Sequence, residues 1–291
     1  MREIRLEARA KINLGLDVVR RREDGYHEVK MIMQTVDLCD ELTIKRIQEP
    51  EIRITTNVGD IPVNENNLIY KTAKLVMQEY HITEGIDVYL KKVIPVAAGM
   101  AGGSTDAAAT FIAMNEIFEL GLKQEELRKL AVQIGADVPY CIMGGTALSE
   151  GIGELLTPLP APPQCYLVIA KPDIYVSTKY VYENLHANEL KHHPDIDGMV
   201  AGIKQQDLKQ ITNLMENVLE NVTVTEYPII EKIKDTMKKC GAWNALMSGS
   251  GPTVFGIFEK IEDAEKAKAE IEEKDMAKQT FISTFSNNDT L

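Results

Sequence analysis

The stretch PVAAGMAGGSTDAAA, residues 95–109, sets three glycines among small residues, between a β-like segment, IDVYLKKVI at 86–94, and a helical pattern starting near Ser104. The first amides of a helix lack intrahelical partners and carry roughly half a positive charge, which suits an anion. Gly99, Gly102 and Gly103 can take backbone angles closed to other residues and present amides where a side chain would stand. Ser104 and Thr105 add hydroxyls that can serve a phosphate. The spacing is neither G-x-x-x-x-G-K-[ST] nor G-x-G-x-x-G. Alone, the stretch fits a phosphate cradle and a tight packing turn equally well.

Outward from the loop, the 291 residues read as an α+β chain. Before it come β-rich stretches separated by turn residues, at 4–21, 29–38, 40–47 and 51–56. Apolar residues three and four apart predict helices over 67–80, 104–120 and 123–135. TPLPAPPQ, 157–164, holds four prolines within six residues, which forbids a helix or a central strand and reads as a linker. The chain is thus divided into a unit over 1–157 that carries the loop and a unit over 158–291. In the second, the strand CYLVIAKP (165–172) leads to a helix capped by Ser177 or Thr178, and helices follow over 207–220 and 225–240. The strands WNALMS (243–248) and TVFGIF (253–258) flank GSGP, and a helix over 261–274 and the strand QTFIST (279–284) close the chain. That is the element content of a split βαβ sandwich.

A formal net charge of -12 argues against a nucleic-acid binder, which needs a basic surface, but a local field still admits a small anionic ligand. No apolar run reaches the roughly 18 residues of a membrane span, and the N-terminus lacks a signal-peptide core, so a cytoplasmic protein is expected. Cys39, Cys141, Cys165 and Cys240 are far apart and form no C-x-x-C pair, so reduced thiols are expected in place of a zinc knuckle. None of the five histidines has metal-ligand spacing, and His192 and His193 are assigned to solvated surface.

Three further stretches carry candidate chemistry. In GADVPYCIMGGTALSEG (135–151), Asp137 follows a helix and precedes Pro139, where its carboxylate can cap the turn or take a proton from a hydroxyl. MSGSGPTVFG (247–256) is a second small-residue turn, either a plain hairpin or a place of close backbone approach. In AKINLGLDVVRRREDGYHEV (10–29), strand alternation puts Lys11 and Asn13 on one face, which suggests a polar cleft. Tyr26 and His27 then offer an aromatic face beside a hydrogen-bonding imidazole, as a ring ligand needs; a solvated hairpin tip is the alternative.

Taken together and in order, KINLGLDV, DGYHEV, NNLIYKTA, IPVAAGMAGGSTDAAA, GADVPYC and SGSGPTVFG resemble the GHMP kinase superfamily over almost the whole chain. The likeness is to the branch that phosphorylates a cytidyl-diphosphate ester of methylerythritol on the non-mevalonate route to isoprenoid precursors. It implies two α+β domains, the first like domain 2 of ribosomal protein S5 and the second ferredoxin-like, with ATP, Mg2+ and a small-molecule substrate in the cleft between them. It matches Asp137 to the catalytic base and Lys11 to the lysine beside it, close enough to keep the carboxylate ionised. Asn13, Tyr26, His27, Thr178 and Tyr182 match substrate contacts. Asn66, Leu68, Lys92, Pro95, Gly99, Ala101, Gly102, Gly103, Ser104 and Thr105 match the ATP site, with the amides of 101–105 on the phosphates. Met100-Ala101 stands where many relatives have Leu-Gly, which narrows the conformations open to the loop. No motif speaks to oligomeric state or to the direct ligands of magnesium.

Overall fold

Two long strands, β1 (Glu3–Arg21) and β2 (His27–Ile47), pair antiparallel along nearly their whole length and form the spine of the first sheet. The computed structural model describes residues 3–286; residues 1–2 and 287–291, the outer ends of the two expected units, lie outside the described residues. β2 joins two stretches that the sequence separates at a turn. At their junction Asp40 is fully buried, and its carboxylate accepts the Val93 and Ile94 amides, which holds the strand straight through. β3 (Ile52–Thr56), α1 (Leu68–Glu79) and β4 (Gly85–Lys91) follow, then α2 (Gly102–Ile117), α3 (Gln124–Ala131), α4 (Val138–Met143), β5 (Thr146–Gly151) and β6 (Leu155–Leu159).

β1, β4 and β5 all pair antiparallel with β2, while β3 lies parallel to β4 and β6 antiparallel to β5. Ile69, Val76, Phe111, Met114 and Leu127 bring helices α1 to α3 onto one face of this sheet. β6 is an edge strand, which is where a sheet tolerates Pro158. It runs through residue 157, so the chain leaves the first sheet at 160–165.

The second sheet contains β7 (Tyr166–Lys171), β8 (Asn244–Met247), β9 (Val254–Phe258) and β10 (Gln279–Thr284) in the order β10-β7-β9-β8, the split βαβ arrangement. Between β7 and β8 lie α5 (Thr178–Asn184), α6 (Ile196–Gln205), α7 (Leu208–Asn213), α8 (Glu220–Glu226) and α9 (Ile229–Lys239); α10 (Ile261–Glu273) joins β9 to β10. The single helix expected over 207–220 is broken. Asn217 interrupts it by bridging to Leu16 and donating its side-chain amide to the Met247 and Gly249 carbonyls, both at 2.8 Å. α6, absent from the sequence reading, is opened by Asp195, whose side chain accepts the Gly198 amide.

The two sheets share a core. Ala10, Ile12, Leu14 and Ile32 of the first meet Leu167, Ile169, Phe255 and Ile257 of the second. Ala8, Leu16 and Val18, although in phase with Ile12 by simple alternation, enter the other core, under the helices. Register shifts between Arg9 and Lys11 and between Asn13 and Gly15 make the exchange, since each slip turns the following side chains to the opposite face. The same slips turn Lys11 and Asn13 away from the shared core. Residues after β10 return to the first sheet, where the Ser286 amide donates to the Thr35 carbonyl at 3.0 Å. Among the described residues, no helix is long and apolar enough to cross a membrane, and all four cysteines are free.

Candidate active site

α2 begins without a side-chain cap. Its N-cap residue, Ala101, has φ 56° and ψ 27°, the left-handed region that favours glycine and costs an alanine about 1–2 kcal/mol. The amides of Gly102, Gly103 and Ser104 donate to no acceptor among the described residues, whereas that of Thr105 already bonds the Ala101 carbonyl at 2.9 Å. The expected cradle of 101–105 therefore excludes Thr105. Its side chain is also buried, with the hydroxyl against the Cys141 thiol.

Two glycines owe their place to crowding. A Cβ on Gly99, at φ +73°, would stand 2.2 Å from the Ser248 carbonyl oxygen, and one on Gly102 would stand 3.1 Å from Lys92 Nζ. The loop thus rests on the turn 248–251, so SGSGP is a place of close backbone approach and not a plain hairpin. Ser248 Oγ closes that contact by donating to the Gly99 carbonyl at 3.0 Å.

Two cavities meet at the loop. The smaller, about 340 Å³, is lined by Asn66, Leu68, Lys92, Pro95 and Gly99, and by Ala101 through Ser104. Asn67 shapes its wall by capping α1, accepting the Ile69 amide at 2.8 Å. The Lys92 ammonium is held by Asp40 and Asp106, at 2.6 Å each. The larger cavity, about 580 Å³, brings together Lys11, Asn13, Tyr26, His27, Asp137, Thr178 and Tyr182. Gly99, Ala101 and Ser104 line both.

Within the larger cavity, Asp137 occupies the N-cap position of α4, yet its side chain makes no capping bond, so the carboxylate is left to the cavity. Lys11 does not pair with it. The ammonium donates to Asn13 Oδ1 at 2.7 Å and to the Gly99 carbonyl at 3.0 Å, which ties β1 to the loop. The expected ion pair is thus replaced by a clamp on the loop, with Asp137 across the same space.

At the far end, His27 and Tyr182 lie with ring centroids 5.2 Å apart. His27 Nε2 is buried without a partner, and burial, helped by the charge of Arg21, lowers its pKa and keeps the ring neutral. Tyr26, 62% exposed, stands at the rim on a turn held by the Arg22 and Asp24 ion pair and by the Tyr26 amide bond to Asp24. Ser177 caps α5 and so presents Thr178, whose hydroxyl meets that of Ser250 at 2.8 Å. Ser250, Lys179 and Glu183 also line this cavity and were not singled out from sequence; only their nearness to motifs pointed to them. Of the two histidines assigned to solvent, His192 pairs with Glu216, but His193 is drawn onto the buried Asp17 at 2.9 Å.

A two-domain α+β fold with a glycine-rich helix start between a narrow cavity and a wide one bearing a free carboxylate is the architecture of a small-molecule kinase. The family models for the GHMP kinases N terminal domain and the GHMP kinases C terminal match residues 67–145 and 199–277. The chain is 56% identical to the 4-diphosphocytidyl-2-C-methyl-D-erythritol kinase of Lachnospira eligens, over 97% of this chain and 98% of that one. It is 54% identical to the enzyme of the same name from Lachnoclostridium phytofermentans, over 97% of each. A crystal structure of 4-(cytidine 5'-diphospho)-2C-methyl-D-erythritol kinase superposes with a TM-score of 0.84 at 28% identity, covering 97% of this chain and 99% of that one. The chain belongs to the GHMP kinases and, within them, to the 4-diphosphocytidyl-2-C-methyl-D-erythritol kinase family.

Proposed function

We propose that the chain transfers the γ-phosphoryl group of ATP to the 2-hydroxyl of 4-diphosphocytidyl-2-C-methyl-D-erythritol, in the cytosol. The observation that carries this reading is the pair of cavities joined at Gly99, Ala101 and Ser104. ATP occupies the smaller, its nucleoside toward Asn66 and Leu68 and its phosphates on the amides of Gly102, Gly103 and Ser104. The cytidyl substrate occupies the larger, its base among Tyr26, His27 and Tyr182 and its methylerythritol toward Lys11, Asn13 and Asp137.

Phosphoryl transfer asks a protein mainly for alignment and for stabilisation of charge. Asp137 takes the proton of the attacking hydroxyl, whose oxygen bonds to the γ-phosphorus as the bond to the ADP oxygen breaks. Asn13, steadied by Lys11, orients that hydroxyl, and the Lys11 charge offsets the negative charge gathering at the junction. Among the described residues no three acidic, histidine or cysteine side chains gather to hold a metal. A magnesium ion would enter with the triphosphate and would there offset charge on the phosphate oxygens.

The test is purified protein with ATP and, separately, the cytidyl substrate, mevalonate and homoserine, scored for ADP release and product mass. Phosphorylation of the cytidyl substrate alone is expected. Equal turnover of mevalonate or homoserine would contradict the role given to the ring pocket.

A further inference from the structure

Behind the phosphate loop lies a group of charges with no part in the transfer as described. Lys92 Nζ stands 2.6 Å from Asp40 Oδ2 and 2.6 Å from Asp106 Oδ2, and all three side chains are buried. Two carboxylates thus share one ammonium in a place almost closed to water, where full ionisation of both is costly.

The two acids are not equivalent. Asp40 Oδ1 also accepts the amides of Val93 and Ile94, at 2.6 and 2.8 Å, so Asp40 accepts three hydrogen bonds. Asp106 accepts one, and its Oδ1 is buried with no partner among the described residues. Hydrogen bonds to a charged form favour that form, and burial without them disfavours it. The proton therefore settles on Asp106. In keeping with this, burial, assisted by the Asp40 charge and opposed by Lys92, pushes the Asp106 carboxyl up to about 8. Among the described residues, the Cys141 thiol of α4 also lies near Asp106, and burial keeps it protonated; Asp137 and Lys11 lie beyond it and act on that thiol.

The cluster sits where a nucleotide would feel it. Lys92 and Asp106 both line the smaller cavity, Asp106 is one turn along α2 from the free amides, and the Lys92 ammonium is 3.1 Å from where a Cβ of Gly102 would be. We propose that Asp106 is a positioning residue for the nucleotide that works as a carboxylic acid: Oδ2 holds Lys92 beneath Gly102, the carboxyl keeps its proton, and the cluster is neutral when a triphosphate arrives. The inference rests on the reading of the smaller cavity as the ATP site. Ionising Asp106 places an unbalanced negative charge behind the amides and repels the phosphates; a bound triphosphate, by linkage, tightens the hold on the proton. The sign for folding follows. The folded acid binds its proton more tightly than the unfolded one, so the contribution of Asp106 to stability is present at low pH and is lost between about pH 4 and pH 8.

The test is calorimetric titration of Mg·AMP-PNP into the wild type and Asp106→Asn from about pH 6.5 to 9.5. Asparagine keeps an acceptor for Lys92 and cannot ionise. For the wild type Kd should climb toward about tenfold per pH unit once the pH passes the Asp106 pKa, and for Asp106→Asn that rise should vanish. Equal alkaline slopes in the two proteins overturn the inference and leave the ATP site standing. Failure of the wild type to bind Mg·AMP-PNP at any pH removes the ATP site and the inference with it. A second measurement needs no refolded variant for its negative result: isotope-edited infrared spectra of the wild type at neutral pH should contain a protonated aspartic carboxyl band. Its absence would overturn the assignment of the proton.

Discussion

Substituting Gly103 by alanine separates binding from folding at a single methyl group. A Cβ there meets only Leu68 Cδ1, at 3.5 Å, an ordinary van der Waals contact, and otherwise faces the smaller cavity. Gly103 is the second residue of α2, where alanine is the better helix former, so the variant should be as stable as the wild type or up to about 1 kcal/mol more so. The same methyl stands where the phosphates must approach the free amides. Losing one hydrogen bond to a charged group costs about 1.5–3 kcal/mol, which is roughly a 10- to 150-fold rise in KM for ATP. Gly99→Ala supplies the contrast: its Cβ strikes the Ser248 carbonyl oxygen at 2.2 Å from a left-handed backbone, so both stability and turnover should fall. Thermal melts and ATP titrations at saturating cytidyl substrate read both quantities. An unchanged ATP KM in a fully folded Gly103→Ala protein would refute the placement of the triphosphate.

Asp137→Asn keeps the side-chain shape and removes the base, so kcat should drop about 10²- to 10⁴-fold with ATP KM little altered; near-normal turnover would dismiss Asp137 as the proton acceptor. Tyr26→Ala should raise KM for the cytidyl substrate and leave that for ATP, and the opposite pattern would mean that the two cavities have been assigned the wrong way round. His27 should gain its proton only as pH falls below the ordinary histidine value of about 6.5, because burial and Arg21 hold its pKa down. KM for the cytidyl substrate should therefore rise in acid while ATP KM stays level, and the share of stability owed to a neutral His27 should decline over the same range. A substrate KM constant into strong acid, or equally acid-sensitive in His27→Gln, would remove His27 from the ring pocket.

What could be read in sequence was what depends on near neighbours. Lys11 and Asn13 share a face because they are two apart on one strand, and they bond each other as that spacing allows. The free amides at Gly102 and Gly103 follow from glycines at the start of a helix. Register is different: the slips around Lys11 and Asn13 arise where β1 meets β2, and nothing in the alternation of Ala8 to Val18 reports them. Nothing beside Asp40 in the chain reports its role, because its partners, Lys92 and the amides after it, are more than fifty positions away. Asp106 was hidden in an alanine run, its partner Lys92 lying on the far side of the glycine loop, and the hydroxyl pair of Thr178 and Ser250 spans 72 positions. Thr105 follows the cavity-lining residues in sequence, but a helix turns its fourth residue inward, whereas the third, Ser104, still lines the smaller cavity.

A crystal structure of the protein with AMP-PNP and the cytidyl substrate together locates the phosphorus to be transferred. The γ-phosphorus should lie at the junction of Gly99, Ala101 and Ser104, with the substrate 2-hydroxyl oxygen about 2.6–3.2 Å from an Asp137 carboxylate oxygen. A triphosphate lodged in the larger cavity, or a bound hydroxyl turned away from Asp137, would contradict it.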